Sequence, residues 1–229
     1  MKVIISGQKH FGKAVAELLQ QRCNWQILAV SCPVLGHPQS GVKLDALHIH
    51  ALNHNLPIIP AGTLDAEAVD RIAPHGLDLI VTAHSHDFIG KKTRLRARAG
   101  CLGYHPSLLP LYRGRAAIEW QVKLRERVTG GTIYWLNDTV DGGPIAAQRH
   151  ALVPRGSTAA TLWRDVLQPL GLDLFAEVFD QIDQGRRPRK PQNHAIATWY
   201  PSLTGHPPLK RPDLYLLPAP GQQFIADAA

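Results

Sequence analysis

Cysteine is scarce in this sequence. Its 229 residues hold three, Cys23, Cys32 and Cys101, widely spaced and never in a CxxC pair. That pattern argues against a disulfide framework or a zinc ribbon and fits a reducing cytoplasm. Long apolar runs are missing too: none approaches the roughly 18 residues that a membrane-spanning helix needs. After Met1-Lys2 the apolar run is only Val3-Ile4-Ile5, too short for the core of a signal peptide. Neither internal repeats nor low-complexity segments occur. Acidic residues are in deficit, 18 against 25 Lys plus Arg, for a formal charge of +7 with twelve histidines besides. A basic chain tends to meet anions, but charge alone does not choose among nucleic acid, a membrane surface and a polyanionic small molecule. What is plentiful is apolar side chain, 45% against 19% charged, enough for a sizeable core and against global disorder.

The length suits one domain with a short appendage. Lys2 to Ser6 reads as a buried strand, followed by a glycine-bearing loop from Gly7 to Gly12. Phe11, Ala14, Val15, Leu18 and Leu19 then recur on one helical face. Trp25–Val30, Pro57–Pro60 and Leu77–Thr82 read as strands, and Leu44–Leu52 and Asp65–Ile72 as helices. This alternation predicts an α/β layer on a mostly parallel sheet, with ligands at the carboxyl ends of the strands. Further strands are expected over Cys101–His105, Gly131–Leu136 and Pro144–Leu152, with Asn137–Gly143 as a loop. A helix is expected from Ala159 to Ile182, broken near Pro169 and Gly171. The expected division is a catalytic domain over residues 1–195 and an extension over 196–229, whose Trp199, Tyr200, Leu214, Tyr215 and Leu216 call for packing.

Several local patterns fail as chemistry. Gly7-Gln8-Lys9-His10-Phe11-Gly12-Lys13-Ala14 nearly matches a phosphate loop, but Ala14 stands where a Mg²⁺-binding hydroxyl belongs, and no GxGxxG follows. The loop still precedes a helix N-terminus, where N–H groups favour an anion, so Lys9 and His10 are weak candidates for acceptor binding. His48, His50 and His54, and the pair His84 and His86, have no third ligand at zinc spacing, and no metal is expected. Cys101 lies about 13 Å from His105 along a strand, too far for a thiol–imidazole pair. Ser107 lacks the GxSxG elbow. The runs Lys91, Lys92, Arg94, Arg96, Arg98 and Arg186, Arg187, Arg189, Lys190 lack interleaved aromatics. They read as solvated faces and argue against a nucleic-acid partner.

The strongest signal is composite. Tyr104-His105-Pro106-Ser107-Leu108-Leu109-Pro110 and Arg113-Gly114 are followed by Asp138-Thr139-Val140-Asp141-Gly142-Gly143-Pro144. His105 leaves a strand end between prolines and can donate to a carbonyl oxygen becoming an oxyanion. Asp141, in a glycine-flanked loop, can orient water or take a proton. Gly142 and Gly143 would let a flat ligand approach the backbone.

Together these segments resemble the folate-dependent formyltransferases over roughly residues 1–190. Gly7-Gln8, Asp87-Phe88-Ile89, Tyr104-His105 and Gly142-Gly143 are most similar to the amino-terminal hydrolase domain of the 10-formyltetrahydrofolate dehydrogenases. The resemblance implies a Rossmann-like sheet and 10-formyltetrahydrofolate as formyl donor. It implies His105 as oxyanion stabiliser and Asp141 as acid–base residue. It places the pterin on backbone near Asp87, Phe88 and Ile89 and in the loop leading to Asp141, which also holds Asp138 and Val140. Transfer to a small-molecule amine is the expected reaction, with hydrolysis to formate and tetrahydrofolate as the alternative. Gly103 stands where most transferring members carry an Asn that holds the formyl oxygen. The length leads one to expect neither the tRNA-binding module nor the aldehyde-dehydrogenase portion that some relatives carry.

Overall fold

The computed structural model describes residues 1–34, 44–85 and 87–203. His86, Leu214, Tyr215 and Leu216 lie outside these, and the expectations that fell on them go with them.

The described residues form seven strands: β1 (Lys2–Gly7), β2 (Gln26–Cys32), β3 (Ile58–Pro60), β4 (Leu77–Ala83), β5 (Ala97–His105), β6 (Val128–Trp135) and β7 (Ile145–Leu152). They form one sheet in the order β3-β2-β1-β4-β5-β6-β7. The first five are parallel, and β6 and β7 are antiparallel additions. The chain winds outward from β1 to β3, then crosses back to start β4 beside β1. Order therefore reverses at the β1/β4 boundary, where α/β sheets open a crevice at the strand ends.

The strand interiors have no polar alternation because helices cover both faces. Val3, Ile5, Val30, Val81 and Leu102 join one core layer with α1 (Lys9–Gln20) and α7 (Gln168–Asp183). Ile4, Ala29, Ile80 and Cys101 join the other, which includes Val69 of α3 (Ala66–Ile72). The face of α7 formed by Leu174, Phe175, Val178 and Phe179 is almost fully buried, each side chain contributing about 1.5–3 kcal/mol of transfer free energy. α2 (Ala46–Asn53) begins on Asp45, whose side chain accepts from the N–H groups of Leu47 and His48. Two short helices, α4 (Lys91–Arg94) and α5 (Ala117–Lys123), were not legible in the apolar pattern.

The expected break near Pro169 and Gly171 is displaced. α6 (Ala159–Leu162) runs into a π-helical turn at Trp163–Leu167, and α7 then continues unbroken. Pro169 directly follows the π-helical turn, which accommodates its missing N–H within the run of helix. Gly171 is a packing residue: a Cβ there would lie 2.8 Å from the Tyr104 ring. Lys91 and Lys92 are exposed, as a solvated face requires, but Arg94 is turned inward and joins the cleft described below.

Candidate active site

A cleft of about 1280 Å³ opens at the carboxyl ends of β4 and β5. His105 ends β5 at its floor. The Pro106–Pro110 turn that follows is fastened to the antiparallel strands. Thr132 of β6 donates to Ser107 O at 2.7 Å, and Gln148 of β7 donates to Leu109 O at 2.8 Å. The imidazole is 7% exposed, and its Nε2 lies 2.6 Å from Tyr112 O. A carbonyl only accepts, so Nε2 carries the hydrogen and Nδ1 is the atom turned to Asp141.

Nδ1 is 3.6 Å from Asp141 Oδ2. The carboxylate is itself held at both oxygens: Tyr134 OH donates to Oδ1 at 2.7 Å, and the Gly114 N–H donates to Oδ2 at 2.8 Å. Asp141 adopts φ +51°, a left-handed conformation that costs a non-glycine residue about 1–3 kcal/mol unless its surroundings hold it. The fixed hydrogen bonds supply that hold. Burial, with Asp141 beside it, pushes the Tyr134 phenol well above its usual pKa, so it stays a donor. Arg113 is 2% exposed, and burial holds its guanidinium below the usual range against the opposing pull of Asp141.

The structure thus brings His105 and Asp141 together. The other proposed contacts divide. Phe88 is exposed and lines the cleft, whereas Ile89 also faces it but is buried, with its carbonyl taken by Arg94 Nη1 at 2.7 Å. Asp138 is exposed and paired with Arg94, and Val140 is half-exposed on the same wall. The Asp87 side chain is committed to the protein. It accepts from Ser6 Oγ and Ser31 Oγ at 2.8 Å each and from Gly62 N at 2.6 Å. It therefore pins its loop to the ends of β1 and β2, leaving backbone and Phe88 to face the cleft. The chain itself requires Gly142 and Gly143: a Cβ on Gly143 would fall 1.7 Å from Trp135 O, and one on Gly142 would fall 2.6 Å from Thr139 Cγ2.

At the first loop, Lys9 lines the cleft, but its N–H already donates to Asp45 Oδ2 at 2.7 Å. His10 is exposed, whereas His48 and His50 are buried on α2. Among the described residues no group of three or more His, Cys, Asp or Glu gathers to hold a metal. No helix among them is long and apolar enough to cross a membrane.

Sequence reasoning missed the contribution of residues 190–201. Thr198 O accepts from Arg113 N at 2.9 Å, Arg113 O accepts from Tyr200 N at 3.1 Å, and the Tyr200 ring stacks on Tyr112 with centroids 4.7 Å apart. Trp199 and Tyr200 help form the cleft wall. The only signal was the aromatic pair in a basic, proline-rich stretch.

Comparison with known proteins agrees with this arrangement. A family model described as "Formyl transferase" matches residues 1–175. The mitochondrial 10-formyltetrahydrofolate dehydrogenase of Mus musculus is 29% identical over 206 residues, covering 87% of this chain and 22% of that protein. The methionyl-tRNA formyltransferase of Ruminiclostridium cellulolyticum is 30% identical over 207 residues, covering 89% of this chain and 66% of that protein. The chain thus spans about a fifth of the first relative and about two thirds of the second. Among solved structures, an N-formyltransferase from Helicobacter canadensis, in complex with folinic acid and dTDP-3-aminofucose, superposes with TM-score 0.70 at 19% identity, covering 88% of this chain and 71% of that one. Glycinamide ribonucleotide transformylase 1 from Symbiobacterium toebii superposes with TM-score 0.68 at 19% identity, covering 84% and 93%. At such identity the likeness is one of fold.

Proposed function

The chain belongs to the formyl transferase family, and from that premise we propose that it moves the formyl group of 10-formyltetrahydrofolate to the amine of a small molecule. The observation that carries this reading is the approach of His105 Nδ1 to 3.6 Å from Asp141 Oδ2 at the floor of the cleft. Relatives named for 10-formyltetrahydrofolate and a fold neighbour complexed with folinic acid support the donor.

The site fits such a donor. Its lining combines apolar and aromatic side chains, among them Phe88, Leu136, Val140, Trp163 and Trp199, with polar and charged groups around His105 and Asp141, the usual make-up of a small-molecule site. When bound, the folate supplies an activated formyl group and accepts the proton that its nitrogen needs on leaving. His105, with Nε2 fixed on Tyr112 O, aims Nδ1 at the position where the carbonyl oxygen gains charge; as imidazolium it donates a hydrogen bond there. Asp141, held by Tyr134 and Gly114, keeps that ring oriented and holds the water that relays the proton of the attacking amine. The cleft volume of about 1280 Å³ exceeds the roughly 300–1,000 Å³ of a typical single-ligand pocket, which supports room for a second substrate.

Hydrolysis is the second reading, favoured by one observation. Gly103 carries no side chain, and the space beside it is closed by Thr82 Oγ1 and Leu136 Cδ1, each 2.9 Å from where a Cβ would lie, and by Tyr134 Cε1 at 3.2 Å. The test is turnover of 10-formyltetrahydrofolate by purified protein, alone and with a panel of amines. Amine-dependent formation of tetrahydrofolate and an N-formyl product is expected. Fast release of formate without any amine would overturn the transferase reading in favour of hydrolysis.

A further inference from the structure

Gln192 is 6% exposed and lies beyond the residues that match the family model. It makes three hydrogen bonds, and all of them reach the catalytic loops. Its amide nitrogen has two hydrogens: one goes to Asp141 O at 2.8 Å and the other to Gly143 O at 2.6 Å. Its Oε1 accepts from Arg113 Nη2 at 2.6 Å. Arg113 Nη2 is also 3.1 Å from His194 Nδ1, on the same downstream stretch.

The segment held this way needs holding. Asp141 is left-handed, and Gly143 is pressed against Trp135 O. Tyr134 and Gly114 fix the Asp141 carboxylate, and only a fixed backbone makes those bonds specify a direction. Gln192 itself does not line the cleft; it acts from behind the loop.

We infer that Gln192 is a positioning residue for the reaction: by clamping the Asp141 and Gly143 carbonyls and the Arg113 guanidinium, it sets the aim of Asp141 on His105. The stretch 190–201 is then part of the working site. The inference rests on the formyl-transfer reading above. A loosened loop shifts the carboxylate by a fraction of an ångström to an ångström, a displacement that costs up to about a hundredfold in rate.

Two variants separate aim from mere packing. Gln192→Met keeps the length and removes every hydrogen bond. Gln192→Glu keeps the acceptor for Arg113 but turns oxygen toward the two carbonyls. Each is compared with the wild type for kcat and KM toward 10-formyltetrahydrofolate. The stoichiometry of 5-formyltetrahydrofolate binding and the thermal transition are followed alongside. The expected result is a kcat lowered about tenfold to a hundredfold in both, with KM within about threefold, one folate bound per chain and a cooperative transition. Variants within twofold of the wild-type kcat overturn the inference. So does loss of folding in both, which would make Gln192 structural only. A wild type inert toward 10-formyltetrahydrofolate overturns the functional reading and this inference with it; an active wild type matched by its variants overturns the inference alone.

Discussion

Tyr134 gives its single hydrogen to Asp141, the phenol lying 2.7 Å from Oδ1. The bond joins β6 to the loop that leaves it, so the carboxylate is positioned by the sheet. Tyr134→Phe keeps the ring and leaves Oδ1 short of a donor. A hydrogen bond to a charged group contributes about 1.5–3 kcal/mol, so kcat toward 10-formyltetrahydrofolate should fall about tenfold to a hundredfold. His105→Ala and Asp141→Asn should fall further, since they remove the proposed oxyanion donor and the proposed proton relay. Steady-state rates for the three variants check this; a Tyr134→Phe enzyme at the wild-type rate would show that Asp141 is oriented by Gly114 and the backbone alone.

Much of this was legible in the sequence because it is local. The apolar run Leu77 to Thr82 had to be a buried strand, and the stripe from Phe11 to Leu19 had to be a buried helical face. His105 and Asp141 were found through their motifs, and the sheet brings them together because β5 and β6 are neighbours. The missing parts are long-range pairings that leave no periodic trace. Asp87 meets Ser6 and Ser31 only once three strand ends are side by side, and a lone Gln192 in a basic stretch carries no pattern. The glycines of the Asp141 loop have a further, long-range reason to be glycine: a Cβ at either would meet Trp135 or Thr139, which local spacing does not reveal.

Asp87 should control folate affinity without touching the chemistry. Its carboxylate gathers two serine hydroxyls and one N–H, and the loop it pins carries Phe88 and Ile89 into the cleft. Asp87→Ser deprives the buried Ser6 and Ser31 hydroxyls of that acceptor, at about 1–3 kcal/mol for a buried group. A weaker Kd for 5-formyltetrahydrofolate, by roughly fivefold to a hundredfold, is expected from that range, with kcat at saturation changed far less. Calorimetric titration measures it, and an unaltered Kd would mean that the loop holds its shape unaided.

Gly103 should resist enlargement. A Cβ there meets Thr82 Oγ1 and Leu136 Cδ1 at 2.9 Å each, and overpacking of this kind typically costs about 1–3 kcal/mol. Gly103→Asn is expected to lower Tm by roughly 2–12 °C, taking about 2–4 °C per kcal/mol for a domain of this size. Adding Thr82→Ala, which clears one of the three tight contacts, with Tyr134 Cε1 at 3.2 Å the third, should recover part of the loss. Thermal melts of the single and double variants decide the matter; a Gly103→Asn protein as stable as the wild type would mean that the neighbours move aside freely.

Stability should fail on the alkaline side. Burial raises the phenols of Tyr104, Tyr112 and Tyr134 above the ordinary tyrosine range, and the hydrogen bond to Glu126 adds to it at Tyr112. In the unfolded chain they ionise near about 10. Above that pH the unfolded state loses protons that the folded state keeps, so stability is intact below about 10 and falls as pH rises further. Melts at increasing pH should show Tm dropping there, with tyrosinate absorbance from these residues rising only as the fold is lost. Early ionisation at full native structure would contradict the burial that the cleft floor depends on.

The cysteines give a way to watch the Asp87 anchor. Burial pushes both the Cys32 and Cys101 thiols up to about 12, with Asp45 and Asp87 adding to the effect at Cys32, while Cys23 is exposed. Near pH 8.5 the two buried sites hold about a thousandfold less thiolate than an ordinary thiol, and thiolate is the reactive form. Iodoacetamide should therefore label Cys23 alone in the native protein and all three in guanidinium, counted by intact mass. Cys32 ends β2, one residue beyond the Ser31 that Asp87 holds. In Asp87→Ser both the negative charge and the anchor are gone, so Cys32 should gain thiolate and access together while Cys101 stays silent. Equal labelling of Cys32 and Cys101 in that variant would mean that the strand ends stay closed without the carboxylate, and that the loop bearing Phe88 is held by something other than Asp87.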